Sequence, residues 1–235
     1  ILSAHPAAVP EQGAPAGGPV EPERMIEISD WLLAAASLDT CDAVLTGHLP
    51  SPAHIGAAAQ IIAGIEAVKR DVFYCCDPIC GDHEKLYLPE NVMHGLRDRL
   101  LPLADMATPN LFELQMLSGR DGFADEVEII DAARDLGIAH MVVTSAPAPA
   151  GRIATLSIGA DILRCETAKA PEAPYGMGDF FGALYLALHL NDDPKALGIA
   201  CATLGQMAAT NMETKSLPHG PVQMAAAAIQ DKLNI

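Results

Sequence analysis

The feature that most constrains this chain is a regular alternation of short apolar runs with longer stretches of helical spacing. "DAVLTG" (42–47), "DVFYCCDP" (71–78), "DMATPN" (105–110) and "HMVVTSA" (140–146) have strand length and lack a polar residue at every second position. Strands covered on both faces read this way, because neither side of the pleat meets water. Between them lie "PAHIGAAAQIIAGIEAVKR" (52–70), "PENVMHGLRDRLLPLA" (89–104), "LFELQMLSG" (111–119) and "EVEIIDAARDLG" (126–137), each with helical spacing. "MIEISDWLLAAASL" (25–38) precedes the first strand and is also helical. Such alternation predicts an α/β fold, a doubly wound, mostly parallel sheet with helices on both faces.

The rhythm then changes. "RIATLSIG" and "ADILRCETA" (152–168) read as a hairpin around Gly159, which adds antiparallel strands, and only helices follow, at 178–190, about 195–213 and about 219–232. Residues 6–24 hold five prolines and three glycines without periodicity and read as a loop. With 235 residues, half of them hydrophobic, the chain can build one α/β domain, taken here as residues 1–235.

Charge excludes some partners. Thirty acidic against 14 basic residues leave a net charge of −16, which disfavours nucleic acid and anionic membranes as ligands. No apolar run approaches the ~18 residues of a membrane span. "ILSAHP" at the start has neither a basic region nor a cleavage site, so the expectation is a cytoplasmic protein. The six cysteines form no CxxC pair; Cys76 and Cys80 near His83 match no structural zinc spacing, and buried reduced thiols are expected.

In open parallel sheets ligands bind at the carboxyl ends of the strands. That rule selects the loops after residues 46, 76, 107 and 144, together with the helix start at 178. Asp77, Asp82 and Glu113 fall on this edge with no Lys or Arg beside them in "CDPICGD" or "TPNLFEL". Three hard oxygen donors suggest a divalent cation, Mg²⁺, held partly through water. Each acid also has a purely structural reading: Asp77 capping a turn before Pro78, Asp82 solvated, Glu113 in the first turn of a helix capped by Asn110.

"GMGDFFGALYLALHL" (176–190) supplies the second half of the chemistry. Gly176 and Gly178 let backbone N–H groups turn toward a ligand, and the helix that follows adds its positive end. An anion hole of that kind, made by Gly176, Met177 and Gly178, needs no basic side chain. Asp179 is a poor partner for phosphate, so its better use is as a base toward a hydroxyl that attacks a terminal phosphoryl group. The structural alternative is an Asp cap after a glycine turn.

These residues together resemble a known family. "GMGDFFGALYLAL" is similar to the Gly-x-Gly-Asp signature of the ribokinase superfamily, and "VLTGHLPS", "CDPICGDHEKLYLPE", "LLPLADMATPNLFELQMLSG" and "VVTS" follow the order and spacing of its pyridoxal kinase branch from about residue 20 onward. The resemblance implies a ribokinase-like fold and phosphorylation of the 5′-hydroxymethyl group of pyridoxal, pyridoxine or pyridoxamine with ATP and Mg²⁺, commonly by a homodimer. It implies Asp179 as base in contact with the substrate hydroxyl. Asp77, Asp82 and Glu113 would serve the metal and phosphate network, with Asp77 also on the nucleotide side. Thr144 and Ser145 would meet the nucleotide phosphates, and Tyr87 and Thr108 would line the nucleotide region.

Three departures stand out. Ala4–His5 lies where the family has a Ser-His pair, in a substrate region shortened to a Pro/Gly-rich remnant. His48 replaces a Tyr that packs on the pyridine ring. Met177 replaces a small residue, usually Thr or Ala. The competing readings are a related kinase for hydroxymethylpyrimidine or a sugar, and a catalytically lapsed binder of nucleotide or pyridoxal phosphate. Asp179 argues against the pyrimidine kinases, which typically carry Cys there, and the "DPICGD" and "TPNLFEL" pair argues against most sugar kinases.

Overall fold

A computed structural model describes residues 18–38, 40–82, 84–170 and 176–210. The elements run α1 (Pro22–Ala34), β1 (Ala43–Thr46), α2 (Pro52–Val68), β2 (Phe73–Cys76), β3 (Gly81–Asp82), β4 (Lys85–Leu86), α3 (Glu90–Gly95), β5 (Met106–Ala107), α4 (Leu111–Ser118), α5 (Glu126–Asp135), β6 (His140–Pro147), β7 (Arg152–Ile158), β8 (Ile162–Ala168), α6 (Met177–Leu190) and α7 (Ala196–Thr210). Six strands form one sheet in the order β1-β2-β5-β6-β7-β8, and β3 with β4 makes a separate two-stranded ribbon. β1, β2, β5 and β6 pair in parallel, in the register Thr46↔Cys76, Cys76↔Ala107 and Ala107↔Met141. A mostly parallel sheet with an antiparallel hairpin is therefore what the alternation encodes.

The chain divides into two compact units. Among the described residues, the first holds 18–146 and 156–162, and the second 147–155 and 163–210. In the first unit the covered strands are buried: Tyr74, Cys75, Cys76, Met106, Ala107, Val142 and Val143 are inaccessible to solvent. β1 is less so because it is the edge strand, and Leu45 is exposed. α1 packs on α2, and α2 places Ile55, Ile62 and Ile65 in the core. The caps follow the residues. Ser51 accepts from His54 N at the start of α2, with Pro52 at the first helical position, and Gly119 closes α4 at φ 69°.

Local details differ from the sequence reading in three places. Residues 22–24 were expected in the loop but form the first turn of α1, where Pro22 fits because a helix start needs no N–H from it. The run 89–104 is not one α-helix: α3 ends at Gly95, then Leu96–Leu100 winds wider as a π-helical turn and Leu101–Leu103 tighter as a 3₁₀ turn. Pro102 lacks the N–H that a regular continuation would use. The β3–β4 ribbon is too short to show a period at all. The expected helix at 219–232, the loop residues 6–17 and His83 lie outside the described residues.

In the second unit, Glu166 on β8 accepts from Arg152 Nε on β7 at 3.0 Å and from Arg164 at 2.8 Å, an exposed pair of bridges across and along the hairpin. α6 and α7 pack on each other. α6 buries Phe181, Leu184, Tyr185 and Leu188, with the Phe181 and Tyr185 rings stacked at 5.8 Å one helical turn apart.

Candidate active site

The first unit's site begins where β2 ends. Asp77 is 5% exposed, and its N–H donates to Thr46 O at 2.8 Å, carrying the sheet ladder one residue past the strand. Ile79 N donates back to Asp77 O at 2.9 Å, turning the chain. Cys80 N and Gly81 N then both point at one carboxylate oxygen, Glu113 Oε1, at 3.0 and 3.4 Å.

Glu113 and Asn110 hold this loop to α4. Asn110 Oδ1 accepts from Glu113 N at 2.9 Å, and Glu113 Oε2 accepts from Asn110 N at 2.9 Å, the reciprocal box that satisfies two donors at a helix start. Asn110 Nδ2 also donates to Gly81 O at 2.8 Å. Glu113 is thus both a cap, as the sequence allowed, and a strut between two loops. Its carboxylate already accepts three N–H bonds, so of about four lone-pair positions one is left. Burial, at 4% exposure, pushes its proton affinity up to about 7; the Asn110, Cys80 and Gly81 N–H groups pull the other way, and the neighbouring Asp82 charge adds to the rise.

Gly81 is required here by space. A Cβ on it would lie 2.5 Å from Lys85 O and 2.6 Å from Phe112 Cε1. Asn110 as a second strut and Gly81 as the close-approach residue are the functional supports that sequence reasoning missed. The Asn-x-x-Glu spacing before an apolar run signals the box but not the bond across to Gly81.

The next strand ends join the same network. Thr108 N donates to Cys76 O at 3.1 Å, and Thr144 N donates to Pro109 O at 3.0 Å, so the ends of β2, β5 and β6 are stitched side by side. Thr108 is 5% exposed, and its hydroxyl has no hydrogen-bond partner among the described residues. Ser145, exposed, has φ 60°, a left-handed conformation that few residues other than glycine adopt. Tyr87 is exposed just past the ribbon, its N–H bonded to Cys80 O at 2.8 Å. His48 is exposed two residues beyond β1. Ala4 and His5 lie outside the described residues.

Asp77, Asp82 and Glu113 share this edge, yet among the described residues no three His, Cys, Asp or Glu side chains are placed to hold a metal ion by themselves. The Glu113 oxygens, moreover, already serve backbone donors. Oxygen donors of this kind still fit Mg²⁺, which keeps several waters and takes one or two carboxylates. Asp82 close to a buried Glu113 is a repulsion that a bound cation would relieve.

In the second unit, α6 starts at Gly176, with φ 84° and ψ 4°, and Phe180 N donates to its carbonyl at 3.0 Å. Among the described residues no side-chain hydrogen bond caps this end. Met177, Gly178 and Asp179 occupy the first turn, whose N–H groups lack intrahelical acceptors. Gly176 needs glycine for its positive φ. Gly178 does not: a Cβ there would meet nothing within 4 Å among the described residues. Asp179 is exposed in that first turn, where a carboxylate is favoured by the helix dipole.

A mostly parallel α/β sheet with acids on its carboxyl-edge loops, and a helix opened by Gly-x-Gly-Asp, define a ribokinase-like protein. The phosphomethylpyrimidine kinase family model matches residues 22–188. The pyridoxine/pyridoxal/pyridoxamine kinase of Bordetella bronchiseptica is 38% identical over 161 residues, covering 65% of this chain and 56% of that protein. Human pyridoxal kinase is 26% identical over 229 residues, covering 85% and 73%. Among solved structures, pyridoxal kinase from Leishmania donovani in complex with ADP and pyridoxamine superposes with a TM-score of 0.82 at 26% identity, covering 91% of this chain and 76% of that one. The chain belongs to the phosphomethylpyrimidine kinase family of the ribokinase superfamily, with pyridoxal kinases among its relatives, and spans 56% to 73% of the length of the two curated relatives named here.

Proposed function

We propose that this protein transfers the terminal phosphoryl group of ATP to the 5′-hydroxymethyl group of a B6 vitamer (pyridoxal, pyridoxine or pyridoxamine). The observation that carries the proposal is the start of α6, a left-handed Gly176 and a turn of backbone N–H groups with no side-chain cap bond among the described residues, with Asp179 in the same turn. In this reading Asp179 accepts the proton of the substrate hydroxyl, and the hydroxyl oxygen attacks the terminal phosphorus. The bond to the bridging oxygen breaks and ADP leaves. The N–H groups of Met177 and Gly178 hold the phosphoryl oxygens, supplying positive potential in a chain of net charge −16. Thr144 and Ser145 meet the remaining phosphates, while Tyr87 and Thr108 line the nucleotide. His48, Ala4 and His5 belong to the vitamin side.

Mg²⁺, when bound, neutralises charge on the phosphate oxygens, and Asp77, Asp82 and Glu113 are the residues that would hold it, mostly through water. The pyridoxal kinase relatives and the ADP and pyridoxamine bound to the Leishmania protein support the choice of substrates. The name of the matching family model favours one second reading, hydroxymethylpyrimidine as the accepted alcohol. Homodimer assembly belongs to the same proposal. An ADP-release assay with ATP and Mg²⁺ across pyridoxal, pyridoxine, pyridoxamine, hydroxymethylpyrimidine and ribose decides. Turnover of a B6 vitamer is expected; turnover of the pyrimidine alone would replace the reading, and ADP release with none of them would overturn it.

A further inference from the structure

His54 on α2 is a buried histidine, 4% exposed, whose ring is bonded on both sides. Its Nε2 lies 2.8 Å from Val20 O, and its Nδ1 lies 2.7 Å from Ser51 Oγ. A carbonyl oxygen only accepts, so Nε2 carries the hydrogen, and in the neutral ring Nδ1 then accepts from the Ser51 hydroxyl. Ser51 Oγ in turn accepts from His54 N at 3.4 Å, as the cap of α2. The cap itself uses the backbone N–H and asks for no particular side chain at 54. What the imidazole adds is a tie from the start of α2 to the chain at Val20, two residues before α1 and 34 positions away.

Ser51 also closes the β1–α2 loop, residues 47–50. At the loop's other end Thr46 O accepts from Asp77 N at 2.8 Å, and Thr46 Oγ1 shares a hydrogen bond with the Tyr74 hydroxyl at 2.8 Å. Within the loop Leu49 is buried at 4% exposure, whereas His48 is exposed. The loop follows the carboxyl end of a strand, the edge at which open parallel sheets bind ligands. Its exposed imidazole is thus on the ligand edge, in a loop clamped at both ends.

We propose that His54 is a positioning residue: through Ser51 and Val20 it fixes the β1–α2 loop, and with it the His48 ring, for the alcohol substrate. The inference rests on the reading under which this edge takes a B6 vitamer. A ring already held in place binds without first losing the freedom of its loop. The effect falls on affinity for the alcohol rather than on phosphoryl transfer, since the ring of His54 bonds to Ser51 and Val20 and not to Asp77, Asp82 or Glu113.

The test compares the full wild-type chain with His54→Leu, which loses both ring bonds, and His54→Gln, which keeps a donor of similar reach toward Val20 O. NMR of the protein with isotope-labelled histidine needs no substrate. Expected are a His54 ring protonated on Nε2 and a His48 ring signal that moves in His54→Leu and returns in His54→Gln. In the ADP-release assay His54→Leu should raise the KM of the accepted alcohol by about 3- to 10-fold, the worth of one or two hydrogen bonds. The kcat and the KM of ATP should stay unchanged, and His54→Gln should recover most of the loss. A ring hydrogen on Nδ1 instead of Nε2, a His48 signal unmoved by His54→Leu, or an equal rise in both KM values would each overturn the proposal. So would a lower unfolding midpoint with neither KM changed, which would leave His54 a structural part only. Absence of wild-type turnover with every alcohol would overturn the kinase reading instead, and the His48 signal would still decide whether His54 holds the loop.

Discussion

Replacing Glu113 by Gln separates the strut from the acid. The carboxyl group is almost wholly buried and meets three backbone N–H donors. Gln keeps the size but turns one acceptor into an NH₂ group that faces a donor, at a cost of about 1–3 kcal/mol. The pH dependence carries the sharper information. Glu113 holds its proton up to about pH 7 in the folded chain against an ordinary value of 4.5. Below 4.5 it is protonated in both folded and unfolded states. Between 4.5 and 7 the folded state binds more protons, so this group's contribution to stability falls as pH rises. That interval corresponds to about 3 kcal/mol at most. Gln cannot titrate. The stability advantage of wild type over Glu113→Gln should therefore shrink by up to ~3 kcal/mol from pH 4.5 to pH 7.5, read by urea unfolding in metal-free buffer. A difference that stays constant, or widens with pH, would refute burial as the dominant influence and show that the three N–H bonds win. In the activity assay the same variant should need more Mg²⁺; an unchanged requirement would leave Glu113 only its structural part.

Two further outcomes follow from the geometry. Asp179→Asn should lower kcat by about 10²–10⁴-fold while nucleotide affinity measured by calorimetry persists, and near-normal turnover would remove Asp179 from the role of base. Gly81→Ala places a Cβ 2.5 Å from Lys85 O and 2.6 Å from the Phe112 ring; thermal unfolding should report a loss of at least ~1–3 kcal/mol, and an unchanged midpoint would mean that the ribbon moves aside freely.

Much of the fold is legible along the chain because its signals are local. The apolar runs at 73–76 and 141–143 need cover on both faces, and together with the helical stretches between them that implies a parallel sheet with crossover helices. Asn110, Glu113 and Gly119 mark both ends of α4 within a few residues of where they act. Pro22 looked like a loop residue, since nothing in sequence distinguishes a proline that breaks a helix from one that begins it. The π-helical turn at Leu96–Leu100 depends on what the helix packs against, and no periodicity carries that.

The site divides the same way. Residue chemistry and the rule of strand carboxyl ends select Asp77, Asp82, Glu113 and the Gly176–Asp179 turn as candidates, and the family resemblance adds Thr108 and Thr144; strand order and polarity place the loop positions without any side-chain detail. What only the tertiary structure decided is how each residue is used. Glu113 accepts three N–H groups from two loops; Gly81 is glycine because a phenyl ring and a carbonyl come within 2.6 Å of where a Cβ would sit; Gly178 is not held to glycine by any described neighbour. The bonds from Cys80 and Gly81 to Glu113, and the approach of Phe112 to Gly81, join residues some thirty positions apart, and distances of that kind are set by packing, which a linear pattern does not contain.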